Sequence, residues 1–298
     1  MEKLAKSIRK FAMLAALILL LSACSSGAED PRAAQPPRVD PVFPPDPPPS
    51  VSIYAATGLD HPNVRKNQYL AEYFQTVDGF MVYTGAEAAS HVGIDVSAHQ
   101  LEIDWEQVAD SGVGFAIIRA GYRGYETGNL NLDARFYANM EGALAAGLQV
   151  GIYFFSQATD TAEAEEEAAQ VLEWIAPYEV TYPVIFDWEP VAGQPAARTN
   201  GVNNETVTEC AKAFCKVIKN AGYIPMVYFN KDQGYAVMDL SKLSGYDFWL
   251  AEYTEIPEFR YHFEMWQYSC TGTVPGIKTP VDLNLCLVDY PATDEEKT

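Results

Sequence analysis

The sequence predicts an α/β fold: an irregular (β/α)8-like barrel of the TIM type, with few helices in its last part. Three observations lead to it. Between residues 91 and 290 there are eight short apolar runs of strand length, at 92–96, 115–120, 149–155, 184–188, 224–229, 248–251, 265–268 and 281–285. Helical patterns fill several of the gaps, at 104–111, 133–146, 161–176 and 204–221, and three of them are followed by Gly112, Gly147 and Gly222, where a helix C-cap belongs. Alternating strands and helices argue for a parallel sheet wrapped into a barrel. The last three connections are short, which makes that part irregular and helix-poor.

What precedes the barrel divides into three segments. Lys3, Lys6, Arg9 and Lys10 lead into an apolar run at 11–21. Such a run, about 11 residues long, is too short to cross a bilayer, which takes about 20. It fits the core of a secretory signal peptide occupying residues 1–23. The run ends in Leu21-Ser-Ala-Cys24, which resembles the lipobox of bacterial lipoproteins, with cleavage before Cys24 and a lipid on its thiol. Residues 24–50 are dense in proline, including Pro44-Pro45 and Pro47-Pro-Pro49. Proline lacks a donor and fixes φ, so this stretch is expected to extend as a polyproline II tether, reaching roughly 60 Å over about 20 residues. Residues 51–90 form a poorly defined extension, with a short helix expected at 69–74 and a strand at 79–83. Residues 291–298 are read as a tail.

Composition excludes some partners. The formal charge is −20. Residues 1–23 carry four basic side chains and one acidic, so the chain beyond them stands near −23. Nucleic acid is not expected as a partner, because binding it needs a basic face. Contact with a membrane is expected through the lipid on Cys24 alone. The acidic run at 163–167 reads as a solvated helix face. Cys210 and Cys215 lie five apart in a helical pattern and diverge around the axis. A bridge between Cys270 and Cys286 is left open. No Cys-x-x-Cys or His/Cys spacing suggests zinc, and neither a metal nor an organic cofactor is expected.

The stretch Tyr182-Pro-Val-Ile-Phe-Asp-Trp-Glu-Pro190 carries most of the chemistry. A buried apolar strand ends in Asp187 and Glu189. Residues i and i+2 of a strand share a face, so both acids project together, with Cα atoms roughly 6.5 Å apart. Paired carboxylates suit glycosidic cleavage: one protonates the leaving oxygen, the other attacks or stabilises the sugar carbon. A solvated acidic strand end or a metal site would look the same on spacing alone. Other candidates collect at the strand ends, where barrels of this kind place active sites: Asp95 on the first strand, Tyr228 on the fifth, Glu252 and Tyr253 after the sixth, Trp266 and Gln267 on the seventh, Asp282 and Asn284 on the eighth. Acids and aromatics in one cleft suit a sugar polymer.

With these residues in view, the segment from His91 to Asp289 resembles glycoside hydrolase family 25, the bacterial and phage-type N-acetylmuramidases or lysozymes. The resemblance is carried by Gly93-Ile-Asp-Val-Ser-Ala-His-Gln100, Ile103-Asp-Trp105, Phe115-Ala-Ile-Ile-Arg-Ala-Gly121 and Asp133-x-x-Phe-x-x-Asn139. It continues through Ala146-Gly-Leu-Gln-Val-Gly-Ile-Tyr153, the stretch from Pro183 to Glu189, Trp249-Leu-Ala-Glu-Tyr253, Met265-Trp-Gln-Tyr268 and Val281-Asp-Leu-Asn284. It implies an irregular (β/α) barrel at 91–290 that cleaves the β-1,4 bond between N-acetylmuramic acid and N-acetylglucosamine in peptidoglycan. It also implies Glu189 as general acid/base, Asp187 as the second catalytic carboxylate, and Asp95 and Asp282 as the remaining acids of the cleft. Family members often carry Tyr-His-Phe at the end of the third strand; here Tyr153-Phe-Phe155 stands there, so a change in substrate contacts is expected while Tyr153 remains a candidate contact.

The expected chemistry has Glu189 protonated at rest, raised by Asp187 and partial burial, and cleaving with retention. Asp187 serves as nucleophile or orients the substrate's own 2-acetamido group. The expected setting is extracytoplasmic: a monomeric, membrane-anchored lipoprotein at the cell envelope. Three rivals remain: a non-catalytic peptidoglycan-binding lipoprotein, a related chitinase-like hydrolase, and a structural envelope tether. Chitinases carry Asp-x-x-Asp-x-Asp-x-Glu, and here Tyr182 replaces its leading acid. The tether does not explain the acids.

Overall fold

The computed structural model describes residues 61–290. The signal peptide, Cys24, the proline-rich tether and the tail from residue 291 lie outside the described residues. In chain order the strands are β1 (Phe74–Val77), β2 (Phe80–Tyr83), β3 (His91–Val96), β4 (Phe115–Arg123), β5 (Leu130–Leu132), β6 (Gln149–Ser156), β7 (Val184–Trp188), β8 (Pro225–Asn230), β9 (Asp247–Ala251), β10 (Met265–Gly272) and β11 (Val281–Cys286). The helices are α1 (Trp105–Asp110), α2 (Phe136–Ala145), α3 (Thr161–Ile175), α4 (Asn204–Asn220), α5 (Lys231–Ala236) and α6 (Leu240–Leu243). Side-chain caps start α1, α3 and α4: Asp104, Asp160 and Asn203 each accept from a backbone N–H in the first turn. Gly112, Gly147 and Gly222, at φ 97°, 82° and 91°, follow the ends of α1, α2 and α4 in the left-handed conformation expected of them.

One sheet runs in the order β3-β11-β10-β9-β8-β7-β6-β4-β5, and β3 also pairs with β4. That pairing, with Gly93 opposite Phe115, closes the barrel and leaves β5 as a flap on β4. The pairs from β3–β4 round to β9–β10 are parallel. The all-parallel expectation fails at β11, which is antiparallel to both β10 and β3. The cause is the short link at 273–280: a parallel return needs a dozen or more residues, whereas a hairpin does not. Because β11 runs backwards, its first residues, not its last, lie at the mouth formed by the C-terminal ends of the other strands. Asp282 therefore pairs with Asp95.

The barrel interior is filled below the mouth by Phe115, Ile117, Tyr182, Ile185, Met226, Met265 and Cys286. Phe115 needs Gly93 beside it, since a Cβ there would lie 2.2 Å from its ring. The outward residues of the strands pack against α2, α3 and α4 in a larger second core. None of the four described cysteines forms a disulfide. Cys270 and Cys286 cannot bridge, because Cys286 pairs with Met265 at one end of the β10–β11 ladder and Cys270 stands near the other end. Among the described residues, no helix is long and apolar enough to cross a membrane.

Residues 61–90 cover the barrel where helices are missing. The expected helix at 69–74 is a single 3-10 turn, Ala71–Tyr73, and Phe74 already begins β1. β1 and β2 form a hairpin turned by Asp78 and Gly79, both at positive φ (49° and 89°). Phe74 packs edge-on against Trp266 at 5.4 Å, Tyr69 donates to the Phe263 carbonyl at 2.8 Å, and the Met81 amide donates to the Tyr268 hydroxyl at 3.1 Å. Backbone bonds from Asn67 to Arg260 and from Ala89 to Leu287 tie both ends down. This extension supplies the apolar cover that βα helices give the other strands.

Candidate active site

Alternation along the strands decides what reaches the mouth. Counting inward from Phe115 and Ile117, β4 next presents Arg119. By the same parity β6 presents Tyr153 and Phe155, β7 presents Asp187, and β8 presents Tyr228. These side chains, with Asp95, Glu189, Trp249, Gln267 and Asp282, line one cleft of about 520 Å³, within the size range of ligand sites. Asp187 is buried at the end of β7, and Glu189, one residue beyond it, is half-buried. The two acids thus stand on one side of the strand, as their spacing implies.

The floor is a hydrogen-bonded network around Asp95. Its Oδ2 accepts from Gln267 Nε2 at 2.8 Å and from Asn284 Nδ2 at 2.7 Å. Trp249 Nε1 donates to Asn284 Oδ1 at 2.9 Å. An indole N–H can only donate, so it fixes which way the Asn284 amide points, and its NH₂ must face Asp95. Tyr253 and Tyr228 donate to Gln267 Oε1 at 3.0 and 3.3 Å, which orients the second amide likewise. Asn284 and Tyr253 act from behind the cleft lining.

Arg119 is the buried cation of the cleft. Its Nε bonds Asp133 Oδ2 at 2.7 Å, and the same carboxylate accepts from the Ala98 and Arg135 amides. That pair anchors the turn Ala98–Gln100, which brings His99 and Gln100 to the rim. Burial keeps the Tyr153 phenol well above its ordinary pKa; Arg119 opposes this, and Asp95, Asp187 and Asp133 add to it. Tyr153 is therefore a neutral donor at any working pH. Among the described residues, no group of three or more His, Cys, Asp and Glu side chains is placed to hold a metal ion.

Besides Asn284 and Tyr253, two more expected contact residues lie outside the cleft lining. Glu252 turns away from the cleft to pair with Lys231, and its Oε2 accepts from the amides of Glu258 (2.9 Å) and Phe259 (3.1 Å). Trp266 points outward between the inward-facing Met265 and Gln267, is fully buried under the extension, and donates to the Glu252 carbonyl at 2.8 Å. Both follow from strand parity: adjacent residues cannot both face the cleft. Parity also changes the meaning of the Phe154 departure. Phe154 points into the outer core beside Trp174, at 6.4 Å, so it alters helix packing, not the cleft. Sequence reading missed Arg119, Trp249 and Phe155 as lining residues. A charged residue in step with Phe115 and Ile117 on an apolar strand was the available signal for Arg119.

The comparisons with known proteins agree with this architecture. The profile of the family described as glycosyl hydrolases family 25 matches residues 94–277. Uncharacterized protein YegX of Escherichia coli strain K12 is 28% identical over 234 residues, covering 74% of this chain and 79% of YegX. Lysozyme M1 of Streptomyces globisporus is 27% identical over 209 residues, covering 67% of this chain and 68% of that protein. Among solved structures, the modular autolysin LytC of Streptococcus pneumoniae superposes with a TM-score of 0.60 at 25% identity, covering 71% of this chain. The chain spans about half of that autolysin, 51%, which has also been solved with a synthetic peptidoglycan ligand.

Proposed function

The chain belongs to glycosyl hydrolases family 25, and from that premise we propose that it is a peptidoglycan muramidase, cleaving the β-1,4 bond between N-acetylmuramic acid and N-acetylglucosamine with retention. The observation that carries this reading is the pairing of Asp187 and Glu189 on one side of β7, in a cleft walled by Tyr153, Tyr228 and Trp249. The lysozyme and autolysin relatives support the same substrate class.

In the proposed mechanism Glu189 gives its proton to the glycosidic oxygen as the bond to the sugar carbon breaks. Asp187 attacks that carbon, or holds the 2-acetamido group while its oxygen attacks. Glu189, now a carboxylate, takes a proton from the incoming water, which opens the intermediate on the original face and regenerates both acids. Asp95 and Asp282 position the glycan. Mass spectrometry of peptidoglycan digested by the soluble fragment from Ser25 onward tests the bond assignment. Muramic acid at the new reducing ends is the expected product. Reducing N-acetylglucosamine ends would make the protein a glucosaminidase, and wall binding without fragments would leave a non-catalytic binder.

The same proposal includes the anchor: a monomer tethered to the membrane through lipid on Cys24 and held off it by the proline-rich segment, supported by the basic flank, apolar run and Leu21-Ser-Ala-Cys24. Labelled fatty acid should enter the full chain but not its Cys24→Ser variant; equal labelling of both contradicts the anchor.

A further inference from the structure

Glu189 lies one residue past the β6–β7 ladder, whose last pair is Ser156 with Trp188. A side chain holds its main chain there. Gln157, the residue after β6, is fully buried, and its Nε2 donates to the carbonyl oxygens of Ser156 at 2.8 Å and Glu189 at 2.7 Å. One amide group thereby bridges two neighbouring strand ends just beyond the point where their own ladder stops. The amide is itself locked. Thr199 Oγ1 donates to Gln157 Oε1 at 3.0 Å, and Arg198 Nη1 donates to the Gln157 main-chain carbonyl at 2.9 Å. Arg198 is in turn gripped by both carboxylate oxygens of Glu163, at 2.6 and 2.8 Å. A second buried glutamine acts one residue earlier: Gln233 Nε2 donates to the Trp188 carbonyl at 2.8 Å.

A buried amide is costly unless its bonds are made. Gln157 makes them on the segment whose next side chain enters the cleft. We propose that Gln157 is a positioning residue for Glu189, fixing the height of its main chain and hence the reach of its carboxyl beside Asp187. This rests on the assignment of Glu189 as acid/base.

Three variants and a control test it. Gln157→Met fills similar volume and removes both donors. Gln157→Asn keeps a buried amide but is one methylene too short to span both carbonyls. Thr199→Val removes only the bond to Oε1. On solubilised peptidoglycan chains, both Gln157 variants should lose about tenfold to a hundredfold in kcat, the scale of a misplaced catalytic group. Their KM should stay within about twofold, and the basic limb of their pH–kcat profile, where the acid is lost, should move. Thr199→Val leaves both Gln157 donors in place, so it should melt lower while its kcat falls by less than that of either Gln157 variant. Should the Met variant fail to fold, the Asn variant decides. A folded Gln157→Asn protein with parental kcat and pH limb would overturn the proposal, as would an equal loss of kcat in Thr199→Val. Parental turnover in Glu189→Gln would instead remove the acid assignment itself, which separates the two failures.

Discussion

Replacing Asp95 with alanine should destabilise the barrel through the two amides it would strand. In the native floor, Asp95 Oδ2 is the common acceptor for Gln267 Nε2 and Asn284 Nδ2. Neither amide can turn to find another partner cheaply. The Asn284 oxygen is claimed by the donor-only indole of Trp249, and the Gln267 oxygen by Tyr253 and Tyr228. Asn284 is fully buried and Gln267 nearly so, at 4% exposure. A buried donor left without an acceptor costs about 1–3 kcal/mol, so Asp95→Ala should lose about 2–6 kcal/mol, nearer the lower end because Gln267 borders the cleft and water can reach it. Asp95→Asn keeps an acceptor oxygen and loses only the charge assistance, about 1 kcal/mol for each bond. Urea unfolding of both variants measures this. A loss below about 0.5 kcal/mol in Asp95→Ala would refute the network as the element that orders the floor.

Other expectations are equally direct. Trp266→Phe removes the donor to the Glu252 carbonyl and opens space under the extension, so it should cost about 2–3 kcal/mol, about 4–12 °C in melting temperature for a domain of this size, while turnover at 20–25 °C below the melt stays parental. Lost turnover with an unchanged melt would return Trp266 to the substrate. Asp247, half-buried and close to Glu264, has its carboxyl pushed up by burial to about 6 from 3.8, although the Tyr290 hydroxyl, His262 and Lys219 oppose this. At Asp247 the folded chain therefore keeps a proton that the unfolded chain has released, and this group's contribution to stability falls as pH rises from 3.8 to about 6. In Asp247→Asn that component disappears, so the melting curves of parent and variant should converge toward pH 4 and separate toward pH 6, with the variant higher. Parallel curves would contradict the burial assigned to Asp247.

Much of the barrel was legible because its signals are local. β7 falls at Val184–Trp188, bounded by a proline and the two acids. The ends of α1, α2 and α4 are marked by glycines that only the left-handed conformation explains. Short elements were harder. α5 and α6 are six and four residues long, too brief for a period to show, although Asn230 and Gln233 form a capping box that marks the start of α5. The hairpin of the extension turns at Asp78-Gly79, and its first strand was hidden by the helical look of 69–74. The reversal of β11 depends on closure of the whole sheet, which no window of sequence contains, yet the brevity of the preceding link pointed to it.

The site was legible in its acids and less so in its surroundings. Asp187 with Glu189, and Asp282 with Asn284, are pairs two apart, and strand geometry keeps such pairs together. Glu252 with Tyr253, and Trp266 with Gln267, are adjacent, so one of each pair had to face away: Glu252 and Trp266 do. What holds Glu189 from behind was invisible, because Gln157 stands 32 residues from it in sequence, and Thr199, which bonds the Gln157 amide, stands 42 residues from Gln157.

The measurement that bears most directly on the central claim is release of soluble fragments from purified peptidoglycan by the parent and by Glu189→Gln, with wall binding and melting temperature followed in parallel. Loss of a general acid should lower turnover by about 10²–10⁴-fold while binding and fold persist. Turnover within about tenfold of the parent would contradict Glu189 as the proton donor and the mechanism built on it.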